Sequence, residues 1–341
     1  MKLLILPYVA QREVLKQMEY EELLLISFLS KRSMTMIQSV KRKEMTDIEI
    51  LINRYCYKFC AGSEKIVIAT LYTETFESDD ITLRKGTSLG NVVCSMEHKD
   101  REGFLRRYYP SLIIYYRHIS EMDTLAEIVY NQLKALFGNY VTFCPRNMGR
   151  HDSLPTFLNV KRSSMSFSGR VDAQVLENYF TNVQKQERLR ISLEGLNGNL
   201  SSNSKFYNTR ELWVSCKDKS LTNDILSNFK GKELILNAPT DIDNEICQFI
   251  ARWKSDETLK NFEHLQLITA WPGNTNVDDI KQRSGLKDLC PEANEYLRYS
   301  YVVRDDGIVA KMYINQRILQ FYVQSFTEEQ MLKGTEVVVW K

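Results

Sequence analysis

The sequence predicts an α+β chain: a small N-terminal three-helix module, then an irregular leucine-rich-repeat-like α/β domain ending in antiparallel strands. Three observations lead there. Apolar residues recur at helical spacing three times before residue 45. Strand-like cores start at Leu189, Leu212, Leu234 and Leu265, at spacings of 23, 22 and 31 residues. Asp305-Asp306-Gly307 separates two strand patterns near the end, which reads as a hairpin with a glycine turn.

The first helix is predicted from Pro7, whose missing N–H costs nothing in a first turn. Ala10, Val14, Leu15 and Met18 follow on one face, with Gln11, Arg12, Glu13, Lys16 and Gln17 on the other. A second helix starts near Glu21-Glu22, whose carboxylates suit the positive end of the helix dipole, and Lys31-Arg32 suit its other end. Its stretch Leu23 to Leu29 is apolar nearly all round, so it needs neighbours on more than one side. Met34, Met36, Ile37 and Val40 give a third stripe. Three such helices enclose little core of their own. Periodicity leaves open whether the missing surface is a partner protein or the rest of this chain.

Residues 46–110 read as a linker helix and a β-rich connecting region. Thr46-Asp47-Ile48-Glu49 has the form of a capping box, and Ile48, Leu51, Ile52, Tyr55 and Phe59 recur after it at helical spacing. A helix over 47–60 is therefore expected, a rigid joint between the N-terminal module and the rest of the chain. Lys65–Leu71 reads as a buried strand, with weaker strands at Ile81–Leu83 and Val92–Met96. Residues 111–325 form the repeat-like domain. It opens with a strand at Ser111–Tyr116 and a helix carrying Met122, Leu125, Ala126, Val129, Leu133 and Leu136. Val141–Phe143 is strand-like, Arg146–Ser168 is the longest expected loop, and Ala173, Leu176 and Phe180 mark another helix. Helical patterns at Leu221–Phe229 and Ile242–Trp253 lie between the repeat strands. Such units bury a face only by stacking on one another. Leu297–Arg304 and Ile308–Ile314 flank the glycine turn, with Ile318–Val323 as a third strand, and residues 326–341 are a tail with a short strand at Val337–Val339.

Composition narrows the function. The 341 residues carry 45 basic and 43 acidic side chains, a formal charge of +2. Nucleic-acid binders usually show a net basic footprint, so no nucleic-acid partner is expected. Arg101, Arg106, Arg107, Tyr108, Tyr109, Tyr115 and Tyr116 form a basic-aromatic stretch, read as a strand with a charged approach rather than an RNA platform. Seven cysteines are spread without a CxxC, which reads as buried thiols in a reducing compartment. The apolar start Leu3–Leu6 is too short for a signal peptide, and Leu23–Leu29 is far below the ~20 residues that span a bilayer. No membrane association is expected, the location is cytoplasmic and/or nuclear, and the sequon at Asn199-Leu200-Ser201 is a chance match.

Catalytic patterns are missing. His98, His118, His151 and His264 are isolated and none has HExxH spacing. Lys85-Gly86-Thr87 lacks the preceding glycine of a phosphate loop, and neither G-x-S-x-G nor a dinucleotide fingerprint occurs. Asp278-Asp279 and Asp305-Asp306 read as solvated turns. No cofactor, metal site or enzymatic activity is expected.

Leu6-Pro7, Arg12–Met18 and Glu22–Arg32 together resemble an F-box, closest to the version of the large nematode F-box family. The sequence departs from the common pattern at Leu29, where many F-boxes carry Cys, and at Ser33-Met34, where many carry Trp. The resemblance implies an F-box over residues 1–45 that binds the Skp-type linker protein of a ubiquitin ligase and, through it, a cullin. By motif, Leu6, Pro7, Val14, Leu15, Leu23, Leu24, Ser27 and Ile37 become core or linker-facing positions. Leu125–Phe137, Glu211–Val214, Leu221–Phe229, Phe249–Lys254 and Phe262–Leu265 resemble the F-box-associated domain of type 2, which implies a part that binds an unidentified target protein. The implied role is a non-catalytic substrate-recognition adaptor. The alternative is a ligase-independent interaction scaffold that uses the repeat-like face.

Overall fold

The computed structural model describes residues 5–40, 47–53, 56–61, 66–73, 87–89, 92–98, 112–116, 119–138, 142–148, 154, 157, 160–239, 241–255, 257–269, 276–289, 299–315 and 317–333. The chain divides into two compact units, Met1–Ser164 and Met165–Lys341. Three N-terminal helices are followed by a large, strand-rich α/β region with antiparallel strands, a mixed α+β architecture.

The first unit opens with α1 (Tyr8–Gln17), α2 (Tyr20–Ser27) and α3 (Lys31–Gln38). Their starts are set by local chemistry. The Gln11 amide bonds the Pro7 carbonyl at 3.0 Å, closing the first turn of α1. Glu19 and Glu22 form a reciprocal capping box at the start of α2, with the Glu19 N–H donating to Glu22 Oε2 at 2.7 Å. Ser30 caps α3 by accepting from the Ser33 N–H at 3.0 Å.

A sheet comes next, with strands β1 (Asp47–Ile52), β2 (Cys56–Ala61), β3 (Ile66–Thr73), β4 (Thr87–Leu89), β5 (Val92–His98), β6 (Leu112–Tyr116) and β7 (Thr142–Met148). Their order is β7-β1-β2-β3-β6-β5-β4. The β1–β2, β2–β3, β4–β5 and β5–β6 pairs are antiparallel, and the β1–β7 and β3–β6 pairs are parallel. Helix α4 (Met122–Phe137) buries Leu125, Ala126, Val129, Tyr130 and Leu133.

The helix expected over 47–60 is replaced by β1 and β2. The same segment carries two periods, and the period of 2 wins: Ile48, Ile50 and Ile52 point to the core and are β-branched. The strands pair Ile50 with Phe59. Asn53 closes the turn between them, its N–H bonding Cys56 O at 3.0 Å and its Oδ1 accepting the Cys56 N–H at 2.7 Å. The rigid helical joint is therefore absent. The long loop expected over Arg146–Ser168 is shortened at both ends by β7 and by β8 (Arg162–Ser166). In β8, Ser163 and Met165 are buried and their neighbours are not, so small polar residues concealed an alternating pattern. The strands expected at Ile81–Leu83 and Val337–Val339 lie outside the described residues.

The second unit contains β9 (Arg170–Asp172), α5 (Ala173–Asn182), β10 (Arg188–Leu193), β11 (Gly195–Asn197), β12 (Glu211–Cys216), α6 (Lys219–Asn228), β13 (Glu233–Ala238), α7 (Asp243–Ser255), β14 (His264–Thr269) and α8 (Val277–Ser284). Strands β15 (Lys287–Asp288), β16 (Tyr299–Val303), β17 (Ile308–Ile314) and β18 (Ile318–Thr327) and the short α9 (Glu328–Leu332) complete it. The main sheet runs β15-β16-β17-β18-β14-β13-β12-β10. The four repeat strands are parallel neighbours, and their leucines sit in register: Leu189 beside Leu212, Leu212 beside Leu234, Leu234 beside Leu265. The expected terminal hairpin is present, turning at Gly307 with φ 87°.

The leucine side of this sheet holds the core. Phe321 on β18 pairs with Leu265, and its ring lies 5.0 Å from Trp253 and 6.3 Å from Phe249 of α7. Gly231 leads into β13 where the backbone passes close to its neighbours. A Cβ there would sit 2.0 Å from the Thr209 carbonyl and 2.4 Å from Phe229. The Gly231→Ala substitution is therefore expected to destabilise the protein by about 1–3 kcal/mol, the usual cost of forcing extra volume into a packed site. Urea unfolding would measure it, and a midpoint unchanged from the wild type would refute this account of the contact.

Candidate functional site

Two surfaces carry exposed apolar or aromatic side chains, one on each unit. The first is built by α1–α3. Leu15 and Leu24 are 0% exposed, Leu23 1% and Ile37 4%. They join one core with Ile48, Ile50, Phe59, Leu71, Leu112 and Leu133 of the same unit. Polar contacts fix the arrangement. The Ser27 hydroxyl donates to Leu24 O at 2.6 Å and accepts from Gln132 Nε2 of α4 at 2.8 Å. Gln38 Nε2 donates to the Ala135 carbonyl at 2.7 Å, and the Tyr20 ring meets Phe137 edge-on at 5.9 Å. Of the two possible partners for these apolar helices, the structure supplies the rest of the chain.

Among the eight residues singled out by motif, Leu15, Leu23, Leu24, Ser27 and Ile37 are thus buried, Leu6 and Val14 are half-buried, and Pro7 is exposed. The outward apolar residues are others. Ile5 is 74% exposed, Tyr8 56%, Val9 70% and Leu29 74%. Ile5, Pro7, Tyr8 and Val9 cluster in sequence at and just before the start of α1. The Arg12 guanidinium lies 5.9 Å from the Tyr8 ring centroid. The sequence carries no period that marks them, because they sit before or at the very start of the helix.

The second surface is the side of the β10–β18 sheet opposite the leucines. Register aligns its residues across the strands. One row runs Arg190, Trp213, Ile235, Gln266, Gln320, Tyr313, Tyr299. The row beside it runs Arg188, Glu211, Glu233, His264, Tyr322, Lys311, Tyr301. Rings and cations pair along both. Arg190 stacks 3.4 Å from the Trp213 centroid, Lys311 Nζ lies 3.7 Å from that of Tyr299, and His264 stacks on Tyr322 at 4.4 Å and 7°. Burial lowers the pKa of His264 and of Lys311, and burial, with the field of Tyr299, raises that of Tyr322. Apart from Tyr301, these residues are half-buried or exposed, so the face is open to solvent.

A polar recess of about 190 Å³ lies near β11 and the start of α6, lined by Arg170, Asn199, Asp218 and Asp224 among others. Arg170 spans it, bonding Asp218 Oδ2 at 2.6 Å and the Leu196 carbonyl. Among the described residues, no three His, Cys, Asp or Glu side chains are grouped to hold a metal ion. No described helix is long and apolar enough to cross a membrane. Cys56, Cys60, Cys216 and Cys247 are buried free thiols.

Comparison with protein families identifies an F-box domain at residues 3–45, a stretch that contains α1–α3. No curated protein and no solved structure gives a significant match. F-box domains are the parts by which ubiquitin-ligase adaptors bind a Skp-type linker protein and thereby a cullin, and such adaptors are typically non-catalytic.

The two sets of F-box residues should behave differently on substitution. Leu24→Ala is expected to cost about 2–5 kcal/mol of stability, as for a fully buried leucine. Val9→Glu, on the exposed side of α1, should stay within about 0.5 kcal/mol of the wild type. Chemical denaturation of both variants checks this, and equal losses would show that the burial pattern is wrong.

Proposed function

We propose that this protein is a substrate-recognition adaptor of a Skp–cullin–F-box ubiquitin ligase, of the nematode type. Its F-box binds the linker protein, and its second unit, read as an F-box-associated domain of type 2, holds a target protein for ubiquitination. The protein works in the cytoplasm and/or nucleus, where that machinery operates. It needs no catalytic group, because holding a target beside a charged conjugating enzyme raises the effective concentration of the reacting amine.

The observation that carries this reading is the F-box match at residues 3–45. The exposed apolar group Ile5, Tyr8 and Val9 adds a location for the contact. Tyrosine is among the residues enriched in interface hot spots, and truncating a hot-spot residue costs roughly 2 kcal/mol or more. Leu15 and Leu24 contribute indirectly, by holding α1 and α2 in place from inside the core.

Calorimetry with a purified Skp-type linker protein tests the proposal. The wild-type chain should bind it, and the Tyr8→Glu, Val9→Glu double variant should lose most of that affinity while its circular dichroism stays unchanged. Failure of a well-folded wild type to bind would sink the ligase reading. The chain would then be an interaction scaffold that works through its second unit alone.

A further inference from the structure

We propose that the polar recess beside α6 is a binding site for a guanidinium group, held by the Asp224 carboxylate. The inference concerns the second unit alone and does not depend on the adaptor reading.

The recess holds about 190 Å³, between the first turns of α6 and the chain that leaves β11. Its lining carries two carboxylates, and they stand in different positions. Asp218 caps α6 by accepting the Ser220 N–H at 2.9 Å, and its other oxygen takes Arg170 Nη2 at 2.6 Å. Arg170 is held further by Asn197 Oδ1 at 3.2 Å and by the Leu196 carbonyl. Those two charges cancel, and both side chains are committed to each other. Asp224 is different. Its backbone carbonyl accepts from Asn228 Nδ2 at 2.9 Å, but no hydrogen bond or ion pair of the described residues reaches its carboxylate. Burial raises the pKa of Asp224, and the Asp218 carboxylate adds to the rise. The charge is also felt inside the protein: after burial, it is the next cause that raises the pKa of Tyr207, whose hydroxyl is buried without a hydrogen-bond partner. The recess therefore contains a half-buried negative charge that the described part of the fold leaves without a counter-charge. A cation from outside would offset the cost of its burial.

Size and chemistry select the cation. Asp224 repels an anion. A divalent metal ion bound through oxygen takes about six ligands or more. Here one of the two carboxylates is already paired with Arg170, and among the described residues no three His, Cys, Asp or Glu side chains are grouped to hold a metal. The volume is that of about six water molecules at about 30 Å³ each, room for the head of a side chain rather than a bare ion. An organic cation remains. Guanidinium suits the site better than ammonium, because its planar fork meets a carboxylate with two parallel bonds and it is the more weakly hydrated of the two. Its other N–H groups find acceptors in the same lining. The Ser220 hydroxyl and the Asn199 side-chain carbonyl are both there, and neither side chain takes a hydrogen bond from the described residues. A guanidinium arrives either on an arginine side chain of another protein or on a free small molecule. The chemistry is the same in both cases, and the experiment separates them.

The full-length chain would be titrated into a dye-labelled pentapeptide with a central arginine, and into the same peptide with citrulline or lysine in its place, and followed by fluorescence anisotropy. Citrulline keeps the shape of arginine and removes the charge. The arginine peptide should bind the wild type at least tenfold more tightly than the citrulline peptide does. Asp224→Asn should lose the same factor while its circular dichroism stays unchanged, since it removes a charge that no described side chain holds. Ser220→Ala should weaken binding severalfold, and Glu329→Gln, on the exposed short helix α9, should leave it as it was. Competition with acetyl-arginine amide then identifies the source. Displacement at a concentration equal to the peptide's own Kd assigns the site to a free guanidinium compound, and a need for tenfold more assigns it to arginine within a protein segment. Four results would overturn the inference: no binding of the arginine peptide to the wild type, equal binding of the citrulline peptide, equal binding by Asp224→Asn, or tighter binding of the lysine peptide. Absence of linker-protein binding by the same wild-type chain would overturn the adaptor reading and leave this result untouched.

Discussion

The burial of Leu23 and Leu24 against the rest of the first unit is the contact on which the N-terminal half depends. Each fully buried leucine contributes about 1.5–3 kcal/mol of hydrophobic free energy. Helix α2 packs on α4 and also meets β3 and β6. Three short helices could not bury these side chains among themselves, and here α4 and the sheet complete the core. Side chains committed to that core cannot also face a partner, whereas Ile5, Tyr8, Val9 and Leu29 are exposed.

Register plays the corresponding part in the second unit. Four leucines at like positions in the repeat strands lie side by side, and a period of 2 then assigns every second residue to the other face. The helices α6 and α7 cover one face through Ile225, Phe249 and Trp253. The same alignment brings Arg190, Trp213, Ile235 and Gln266 into a row on the other. The cation and ring pairs of that row are a by-product of registration: residues 22 to 31 apart in sequence become neighbours only once the leucines are in phase.

Much of this was legible in the chain. The repeat strands, the glycine hairpin and the three N-terminal helices come from spacing and turn chemistry, because each is decided within a few residues. The segment 47–60 was not. Ile48, Leu51, Ile52, Tyr55 and Phe59 satisfy a helical period, while Ile48, Ile50 and Ile52 satisfy a strand period, and only pairing of Ile50 with Phe59 and of β1 with β7 decides between them. The F-box resemblance gave its positions as core or linker-facing without separating the two. It therefore grouped Leu15, Leu23, Leu24, Ser27 and Ile37, which are interior, with Pro7, which is not. The open face of the sheet was hidden for a related reason. Its members are unremarkable one at a time, and Trp213 reads as one more apolar residue of a strand.

Interior and exterior residues consequently answer different questions. A substitution at Leu15 or Leu24 removes core volume, and any accompanying loss of partner binding is explained equally well by loss of fold. Substitutions at Val9 or Arg190 touch side chains that the core does not use, so a change in binding can be assigned to the surface that carries them. Tyr8 and Val9 lie in the first unit and Arg190 and Trp213 in the second. Each unit buries its own leucines and keeps a separate set of side chains open to solvent, so substitutions on one unit leave the exposed side chains of the other in place. If linker binding and target binding separate along that division, the function is a bridge between two proteins, and no chemistry beyond binding is required of the chain.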